Sequence, residues 1–441
     1  MSLVMRKSSP VVVRPSPEPG TTKRVPTIKL SSFDKGLYNM PTTTLLVFEH
    51  PLDNAAETIR GALSRALSHY YPIAGRIVAS GGDNDDVYID CNDEGVAFVA
   101  ASADHALKEV TCFDRSPGAR KLLDELAAYY PAMSSCGAGD PLLLMQVTEF
   151  SCGGGFVLGV TWNHGVADGA GMGQFLRAVG ELAAAAGSPS VAPVRWDPSL
   201  PSLPPRVLEA QRHMLSLDPL TDDLAVHDIN IPVESINNIK ADFSSSSFHG
   251  QQPPCTTFEA ALAVLWRCRT RAIRRPDDDP ATPVMLMFVA DVRRHAGAKG
   301  GYYGNCIVEQ FVVAESGVVA DGEFNDVVMA IRRAKDRIPE LLKEDDDGGG
   351  VVGVQEMCKV RSYDYGCYDT LTVTSWRNLG FEQVDFGSGR PARVTGSGKD
   401  LPPSPGAVGF TCDGRGGVSV LSALVREEHA DAFLAELAKF T

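Results

Sequence analysis

The segment with the clearest chemical potential lies in mid-chain and reads Asn-His-Gly-Val-Ala-Asp-Gly over residues 163–169. His164 has the only type of side chain whose unperturbed pKa lies near neutral pH, so its imidazole can take a proton from an attacking hydroxyl or amine. The small residues that follow leave space for a ligand to approach the ring. Asp168 could orient the imidazole or hold the turn. An isolated H-x-x-x-D pattern is more often a core histidine followed by a helix cap, so it is specific only together with other motifs.

The elements around this segment are predicted as a strand, a tight turn and a helix. Two apolar runs, Leu142–Phe150 and Phe156–Trp162, indicate strands, and the glycine-rich stretch Ser151–Gly155 indicates the turn between them. Gly169–Ala186 is rich in alanine and leucine and is predicted as a helix. His164 should therefore lie on the turn between a buried strand and a helix.

Periodicity and turn signals predict further elements on both sides of this segment. A capping-box spacing of Thr256 and Glu259 marks the start of one helix. Helices are predicted over residues 56–69, 257–270, 324–342 and 427–439. Strands are predicted over residues 76–79, 87–90, 284–290, 371–375, 407–412 and 417–424. This mixture predicts α/β layers, and the length of the chain predicts more than one domain.

A proline-rich stretch between Pro189 and Pro205 marks a change in composition. Prolines at this density prevent a helix and stiffen the chain. We interpret the stretch as a crossover linker, which gives an N-terminal domain over residues 1–188, a linker over 189–225 and a C-terminal domain over 226–441. The alternative is a long surface loop inside one domain, although such loops are uncommon.

Composition and charge exclude several classes of protein. The 441 residues carry a formal net charge of −14, so the chain has no general attraction for nucleic acid or for an anionic membrane surface. No run approaches about 20 consecutive apolar residues, and the N-terminus lacks the apolar core of a signal peptide. The ten cysteines form no C-x-x-C pair, which argues against a zinc or redox motif. We therefore predict a cytoplasmic protein with no nucleic-acid partner, no membrane span and no metal.

Five arginines lie close together in the second half of the chain, at positions 267, 269, 271, 274 and 275. One interpretation is the solvated end of a helix. The other is a landing site for the phosphates of a nucleotide cofactor. The sequence leaves both interpretations open.

Together with the histidine segment, Asp-Phe-Gly-Ser-Gly at residues 385–389 resembles the paired H-x-x-x-D and D-F-G-W-G motifs of the plant BAHD acyltransferases. The resemblance covers nearly the whole chain. Six further matches occur in the family's order: Leu30–Asp34, similar to the family's opening strand, Tyr71–Arg76, Thr256–Glu259 with Trp266–Arg267, Asp291–Arg293, Gly301–Asn305 and Thr374–Trp376.

The resemblance implies a fold and an activity. The expected fold is α/β, with two similar-sized domains of mixed sheet and helices, similar to chloramphenicol acetyltransferase, and an active-site channel at their interface. The expected reaction transfers an acyl group from an acyl-CoA thioester to a hydroxyl or an amine of a small plant metabolite. Acyl-CoA would be a co-substrate, with no permanently bound cofactor, and the protein is expected to be a monomer.

The resemblance also assigns roles to residues. His164 would be the general base, and Asp168 would be structural, pointing toward Arg293 and away from the substrate. Trp376 and Thr374 would line the channel near the imidazole and could donate to the developing oxyanion.

Further from the reacting atoms, Asp385 would anchor the D-F-G loop. Thr256, Thr257 and Arg377, together with Arg293, would lie along the coenzyme A side. The family's second motif has a tryptophan where this chain has Ser388, which puts the packing of that loop in question.

Two other readings remain open at this level. A catalytically silent relative would act as a binding or regulatory protein, and carrier-protein condensation domains also use H-x-x-x-D but normally lie beside carrier domains.

The acceptor side in this family is lined partly by the segment near Tyr38, Met40 and Thr42. Because Met40 is apolar and no acidic residue lies directly beside it, we favour an alcohol acceptor and keep an amine as the alternative.

Overall fold

A computed structural model describes residues 5–17, 24–79, 86–108, 123–132, 135–205, 207–208, 211, 224–245, 253–343, 368, 370–396, 406–411 and 417–441. The predicted acidic tract at residues 344–350 and most of the loops at 81–86 and 244–254 lie outside these ranges. Among the residues described, no helix is both long and apolar enough to span a bilayer.

The strands are numbered in chain order. They are β1 (Met5–Lys7), β2 (Val11–Val13), β3 (Thr27–Lys29), β4 (Pro41–Phe48), β5 (Arg76–Ala79), β6 (Val87–Asp90), β7 (Val96–Ala106), β8 (Leu143–Cys152), β9 (Phe156–Asn163), β10 (Leu224–Ile231), β11 (Pro283–Asp291), β12 (Ile307–Glu315), β13 (Thr370–Ser375), β14 (Arg393–Gly396), β15 (Gly406–Thr411) and β16 (Val418–Arg426).

The α-helices are numbered in the same way. They are α1 (Ser32–Lys35), α2 (Ala55–His69), α3 (Gly169–Ala183), α4 (Val233–Ser245), α5 (Thr257–Ile273), α6 (Arg293–Ala296), α7 (Ser316–Asp321), α8 (Phe324–Asp336), α9 (Ile338–Leu341) and α10 (Ala430–Leu437).

The chain forms two compact units, and both are discontinuous in sequence. The first unit comprises Met1–Ser202, Ala296–Cys306 and Asn378–Asp400, and the second comprises Leu203–His295, Ile307–Arg377 and Leu401–Thr441. The first unit contains two later segments because the chain returns to it; β14, for example, pairs with β4. The domains predicted over residues 1–188 and 226–441 are each continuous in sequence, and this division stays a prediction.

The main sheet of the first unit positions the histidine segment. It has seven strands in the order β1-β7-β8-β9-β4-β14, with β2 also paired to β7. Every residue of β9 is buried, as expected for a strand read from a continuous apolar run. β9 pairs with β4 and β8, and α3 follows it after a short turn. The predicted order of strand, turn and helix around His164 is confirmed.

The second unit is a six-stranded sheet in the order β10-β16-β15-β13-β11-β12. One face of this sheet packs against α5, whose Trp266 and Leu262 are almost fully buried. The predicted capping box is present at the start of α5: Thr256 accepts from the backbone of Glu259, and the Glu259 side chain accepts from the backbone of Thr256. Sequence therefore located this helix start correctly.

Three predictions of local structure are wrong in part. Residues 32–34 are not a strand, because Ser31 and Asp34 form a capping box that starts the short helix α1. The helix predicted over 324–342 is divided into α8 and α9, and Pro339 lies in the first turn of α9. The last helix is shorter than predicted, because Glu427–His429 form a 3-10 turn before α10.

The two interpretations of the arginine cluster are wrong for its first two members. Arg267 and Arg269 are buried, with 7% and 1% of their surface exposed. Arg267 donates to the carbonyl oxygens of Val319 and Gly322, and Arg269 donates to that of Leu424. These guanidinium groups bind the backbone of their own unit and face neither solvent nor an open phosphate site.

Candidate active site

His164 lies on a tight turn directly after β9. Its backbone N–H donates to the carbonyl oxygen of Met40 at 2.8 Å, which attaches the turn to the segment before β4. The side chain of Asn163 closes the turn by accepting from the N–H of Gly165 at 2.9 Å. A Cβ atom at Gly165 would lie 2.5 Å from the Cα of Tyr38. Only glycine therefore allows these two segments to approach so closely.

The imidazole of His164 is held by an amide side chain. Its Nδ1 lies 2.9 Å from Oδ1 of Asn305. The Nδ2 group of Asn305 donates to Oδ1 of Asp34 at 2.8 Å and to the carbonyl oxygen of His164 at 2.7 Å. Because both amide protons point to acceptors, Oδ1 of Asn305 must accept, and Nδ1 of His164 carries the proton. In the neutral ring the free lone pair is then on Nε2.

The environment keeps this ring neutral. Burial lowers the pKa of His164 from its ordinary 6.5. The nearby Asp168, a backbone hydrogen bond, the hydrogen bond that Nδ1 donates to Asn305 and the charge of Asp34 only partly oppose that effect. A neutral imidazole with a free Nε2 is the form that can accept a proton. Taken as a whole residue, His164 is partly exposed.

Asp168 links two segments of backbone beside the histidine. It is the N-cap of α3, and its Oδ1 accepts from the N–H of Gly171 at 3.0 Å. Its Oδ2 accepts from the N–H of Cys306 at 3.0 Å, next to Asn305. This carboxylate therefore organises the backbone on which the imidazole and its partner lie. The predicted pairing of Asp168 with Arg293 stays a prediction.

Asp385 folds the D-F-G-S-G loop onto itself. Its Oδ1 accepts from the N–H groups of Gly387 at 2.8 Å and Gly389 at 3.1 Å, and both glycines have positive φ angles. Phe386 is buried in an aromatic cluster, with its ring centre 5.5 Å from that of Phe48. Within the described part of the chain, the buried hydroxyl oxygen of Ser388 has no hydrogen-bond partner. The loop therefore packs through Phe386 although the family's tryptophan is replaced.

The predicted channel residues Thr374 and Trp376 lie in the second unit, at and just after the end of β13. Thr374 pairs with Val408 of β15, and the N–H of Trp376 donates to the carbonyl oxygen of Gly409 at 2.7 Å. Arg377 follows, and burial lowers the pKa of its guanidinium group. The roles predicted for these three side chains stay predictions.

The other residues predicted for the coenzyme A side also lie in the second unit. Oγ1 of Thr256 accepts from the N–H of Glu259 at 3.2 Å, and Oγ1 of Thr257 accepts from Nζ of Lys240 at 2.8 Å. Arg293 forms an ion pair with Asp291 at 2.8 Å. These contacts are the ones that the three side chains make within the second unit, and their predicted roles in binding coenzyme A stay predictions.

Sequence reasoning missed three residues of the first unit that are linked to the imidazole directly or through one another. Asp34 and Asn305 lie in matched motifs, but no role was assigned to either. Arg195 lies in the proline-rich stretch, 3.2 Å from Asp34, and had no local signal. For Asp34 and Asn305 the matched motifs were the only signal in the sequence, because the two side chains meet only in the folded protein.

Comparisons with known proteins identify the family and the fold. A family model described as the transferase family matches residues 4–431. Acyl transferase 15 of Oryza sativa subsp. japonica is 43% identical, covering 100% of this chain and 99% of that protein. Myricetin 3-O-glucosyl 1,2-rhamnoside 6'-O-caffeoyltransferase AT1 of Crocosmia x crocosmiiflora is 30% identical, covering 100% of both chains. The structure of F. sporotrichioides TRI101 with coenzyme A and T-2 has a TM-score of 0.69 and 18% identity, covering 94% of this chain and 98% of that one.

The match to the family model extends over nearly the entire chain, and the full-length relative is well above 30% identical. The chain therefore belongs to the transferase family, and within it to the plant BAHD acyltransferases. The α/β fold of two units with mixed sheets, expected from the motifs, is confirmed by the structural likeness.

Proposed function

We propose that the chain transfers an acyl group from an acyl-CoA thioester to a hydroxyl of a small plant metabolite, with Nε2 of His164 as the general base. The observation that carries the proposal is the hydrogen bond between Nδ1 of His164 and Oδ1 of Asn305. It leaves the lone pair on Nε2 in the neutral ring, and burial keeps the ring neutral by lowering its pKa.

The proposed chemistry balances without a covalent enzyme intermediate. Nε2 takes the proton of the acceptor hydroxyl while the oxygen attacks the thioester carbonyl, which forms a C–O bond and a tetrahedral oxyanion. The intermediate collapses with cleavage of the C–S bond, and the departing thiolate takes the proton from the imidazolium ring. The products are an ester and free coenzyme A. Orientation of two bound substrates lowers the barrier because a thioester is already activated.

Other residues enter this proposal with the roles that the family resemblance gives them. Trp376 or Thr374 would donate to the oxyanion, a type of contact that contributes about 3 kcal/mol in other acyl transfers. Residues on the coenzyme A side would be Thr256, Thr257, Arg293 and Arg377. TRI101, which shares the fold, was solved with coenzyme A, and this supports the choice of donor.

We propose an alcohol as the acceptor. The segment that contacts the histidine turn presents Tyr38 and Met40, neither of which would bind an ammonium group by charge. The carboxylate of Asp34 is already paired with Arg195. The Crocosmia relative is named as an O-caffeoyltransferase, which agrees with ester formation. The protein is proposed to act as a cytoplasmic monomer.

Replacement of the base tests the proposal. The purified protein is assayed with a matrix of acyl-CoA donors against alcohols and amines, and the release of free thiol is measured. His164→Gln should lower turnover by about 100-fold to 10,000-fold, the usual contribution of a general base, while the unfolding midpoint stays close to that of the native protein.

The matched control is His105→Gln, a histidine of β7 in the same unit, which should keep native turnover. If His164→Gln keeps native turnover, the proposal is wrong. If the native protein binds acyl-CoA but releases no thiol with any acceptor, the silent-relative reading replaces it. Faster release with amines than with alcohols would assign an N-acyltransferase.

A further inference from the structure

We propose that the buried ion pair of Asp34 and Arg195 is a positioning device for His164, which fixes the tautomer of the imidazole through the amide of Asn305. The inference rests on the proposed function in so far as the free Nε2 is needed as a base. The tautomer itself can be measured whether or not the protein is active.

The carboxylate of Asp34 determines how the amide of Asn305 is oriented. Asp34 is completely buried, and its Oδ1 accepts from both the backbone N–H and the Nδ2 group of Asn305, at 3.1 and 2.8 Å. Its Oδ2 accepts from the backbone and the hydroxyl of Ser31. An ionised carboxylate only accepts hydrogen bonds, so Asn305 must present its NH2 group to Asp34 and its oxygen to the imidazole.

Arg195 pairs with that carboxylate and attaches it to the histidine turn. Its side chain is 3% exposed, and its Nη2 lies 3.2 Å from Oδ2 of Asp34. The same Nη2 donates to the carbonyl oxygen of Gly165 at 2.9 Å, one residue after His164. Burial acts to lower the pKa of Arg195, but Asp34, Tyr302 and Tyr303 together outweigh it and the pKa is raised. The guanidinium group therefore stays charged, and it contacts both the carboxylate of Asp34 and the carbonyl oxygen of Gly165.

Backbone hydrogen bonds of Val194 and the glycine at position 304 fix the position of Arg195. Val194 exchanges backbone hydrogen bonds with Gly301 and Tyr303, so this part of the proline-rich stretch runs beside the Gly301–Asn305 motif. A Cβ atom at Gly304 would lie 2.5 Å from the hydroxyl oxygen of Tyr302 and 2.7 Å from Nη1 of Arg195. Glycine at this position therefore leaves room for both side chains. The stretch predicted as a linker thus supplies a buried residue to the histidine site of the first unit.

The consequence of losing the pair follows from hydrogen-bond chemistry. Without an anion at position 34, the amide of Asn305 could rotate and present its NH2 group to Nδ1 of His164. Nδ1 would then accept, the proton would move to Nε2, and the lone pair needed for general-base catalysis would be lost. An amide cannot relay a proton as a carboxylate could, so the role of the pair is to set orientation.

The test combines a spectroscopic and a kinetic measurement on the full chain. In protein labelled with nitrogen-15 at histidine, the His164 signals are assigned by their loss in His164→Gln, and the two ring nitrogens report the tautomer. We expect the Nδ1–H form in the native protein. In Arg195→Met we expect a mixture with the Nε2–H form and a loss of kcat of about 10-fold to 100-fold, comparable to other supporting-shell residues, with KM values nearly unchanged.

Two further variants separate positioning from mere stability. Arg195→Lys keeps the charge and should recover most of the native tautomer and kcat. Arg267→Lys alters a buried arginine of the second unit that binds carbonyl oxygens, so it should lower the unfolding midpoint while the His164 tautomer and kcat stay native. If Arg195→Met does not fold, Asp34→Asn is measured in its place.

Outcomes for the two proposals are distinct. A native Nδ1–H tautomer and native kcat in Arg195→Met or Asp34→Asn would overturn the positioning role. So would an equal loss of kcat in Arg267→Lys. Retention of turnover by His164→Gln would instead overturn the proposed general base, while the tautomer measurement would still decide the role of the ion pair.

Discussion

Each of the two units contains an arginine–carboxylate pair that is almost inaccessible to solvent. In the first unit Arg195 lies 3.2 Å from Asp34, and their side chains are 3% and 0% exposed. In the second unit Arg332 lies 2.8 Å from Glu259, and their side chains are 6% and 2% exposed. The two pairs have the same chemistry and nearly the same burial, so any difference in role must come from their other contacts.

Those other contacts differ in kind. Glu259 accepts from the backbone N–H of Thr256 and from Nζ of Lys335, so its charge stabilises the start of α5. Asp34 accepts from Asn305, which contacts the imidazole of His164. A buried ion pair contributes little net stability compared with a well-packed apolar substitute, although breaking it is costly. The comparison shows that the role of such an ion pair depends on the other hydrogen bonds that its carboxylate accepts.

The largest expected effect is on stability, and it should be alike for both pairs. Arg332→Met should reduce the free energy of unfolding by about 3 kcal/mol, because it leaves Glu259 buried with only Lys335 as a counter-ion. Chemical denaturation followed by fluorescence measures the change. Its kcat at saturating substrate should stay within about threefold of native, in contrast to Arg195→Met. A loss of less than about 0.5 kcal/mol would mean that the pair is open to water.

The pair of the second unit should lose its stabilising effect in acid. Burial alone would raise the pKa of Glu259, but bonds from Arg332, Lys335 and Thr256 lower it from 4.5 to about 2. A depressed carboxylate pKa stabilises the fold above the unfolded value and loses that contribution as pH falls from 4.5 toward 2. Glu259→Gln should therefore destabilise the protein at pH 7, and the difference from native should shrink below pH 4.5. A difference that is constant from pH 7 to pH 3 would contradict this pKa.

Turnover should distinguish the two pairs. Asp34→Asn keeps the shape of the side chain and removes the anion that orients Asn305, so kcat should fall by at least about 10-fold with little change in KM. Steady-state release of free thiol from acyl-CoA is the measurement. Arg332→Met is the control from the other pair. Equal kcat values for the two variants would show that the difference between the pairs has no functional consequence.

The pH dependence of catalysis gives a finer comparison. Because burial lowers the pKa of His164 below 6.5, the acid limb of kcat/KM should have its midpoint below pH 6.5. The charge of Asp34 raises this pKa, so Asp34→Asn should move the midpoint further toward acid. Arg332→Met should leave the midpoint in place. A native midpoint above pH 6.5 would contradict a base whose protonation is disfavoured by burial.

The smallest expected effect concerns a buried polar group without a partner among the described residues. Ser388→Ala removes such a hydroxyl and should change the free energy of unfolding by no more than about 1 kcal/mol, in the stabilising direction. Thermal unfolding measures it, and Ser190→Ala, which removes a hydroxyl bonded to Glu181, is the control. A clear loss of stability in Ser388→Ala would show that the hydroxyl has a partner.

Local patterns predicted much of the fold because strands and helices are encoded by residues that are near in sequence. The bounds of β5 and β6 match the prediction, and β9 and α3 differ from it by only a few residues at their ends. The opening strand at residues 30–34 was wrong because a capping box between Ser31 and Asp34 starts a helix there. Among the strands that were missed, β4 and β10 are each held by pairing with strands that are distant in sequence.

The sequence by itself determined the histidine, its flanking strand and helix, and the family to which the chain belongs. Only the tertiary structure decided which atoms touch the imidazole. Asn305 and Asp34 are separated by 271 positions, and Arg195 comes from a proline-rich stretch without any periodic signal. The physical reason is that hydrogen bonds and ion pairs act over a few ångströms. Packing of the folded unit creates that proximity, and no local pattern records it.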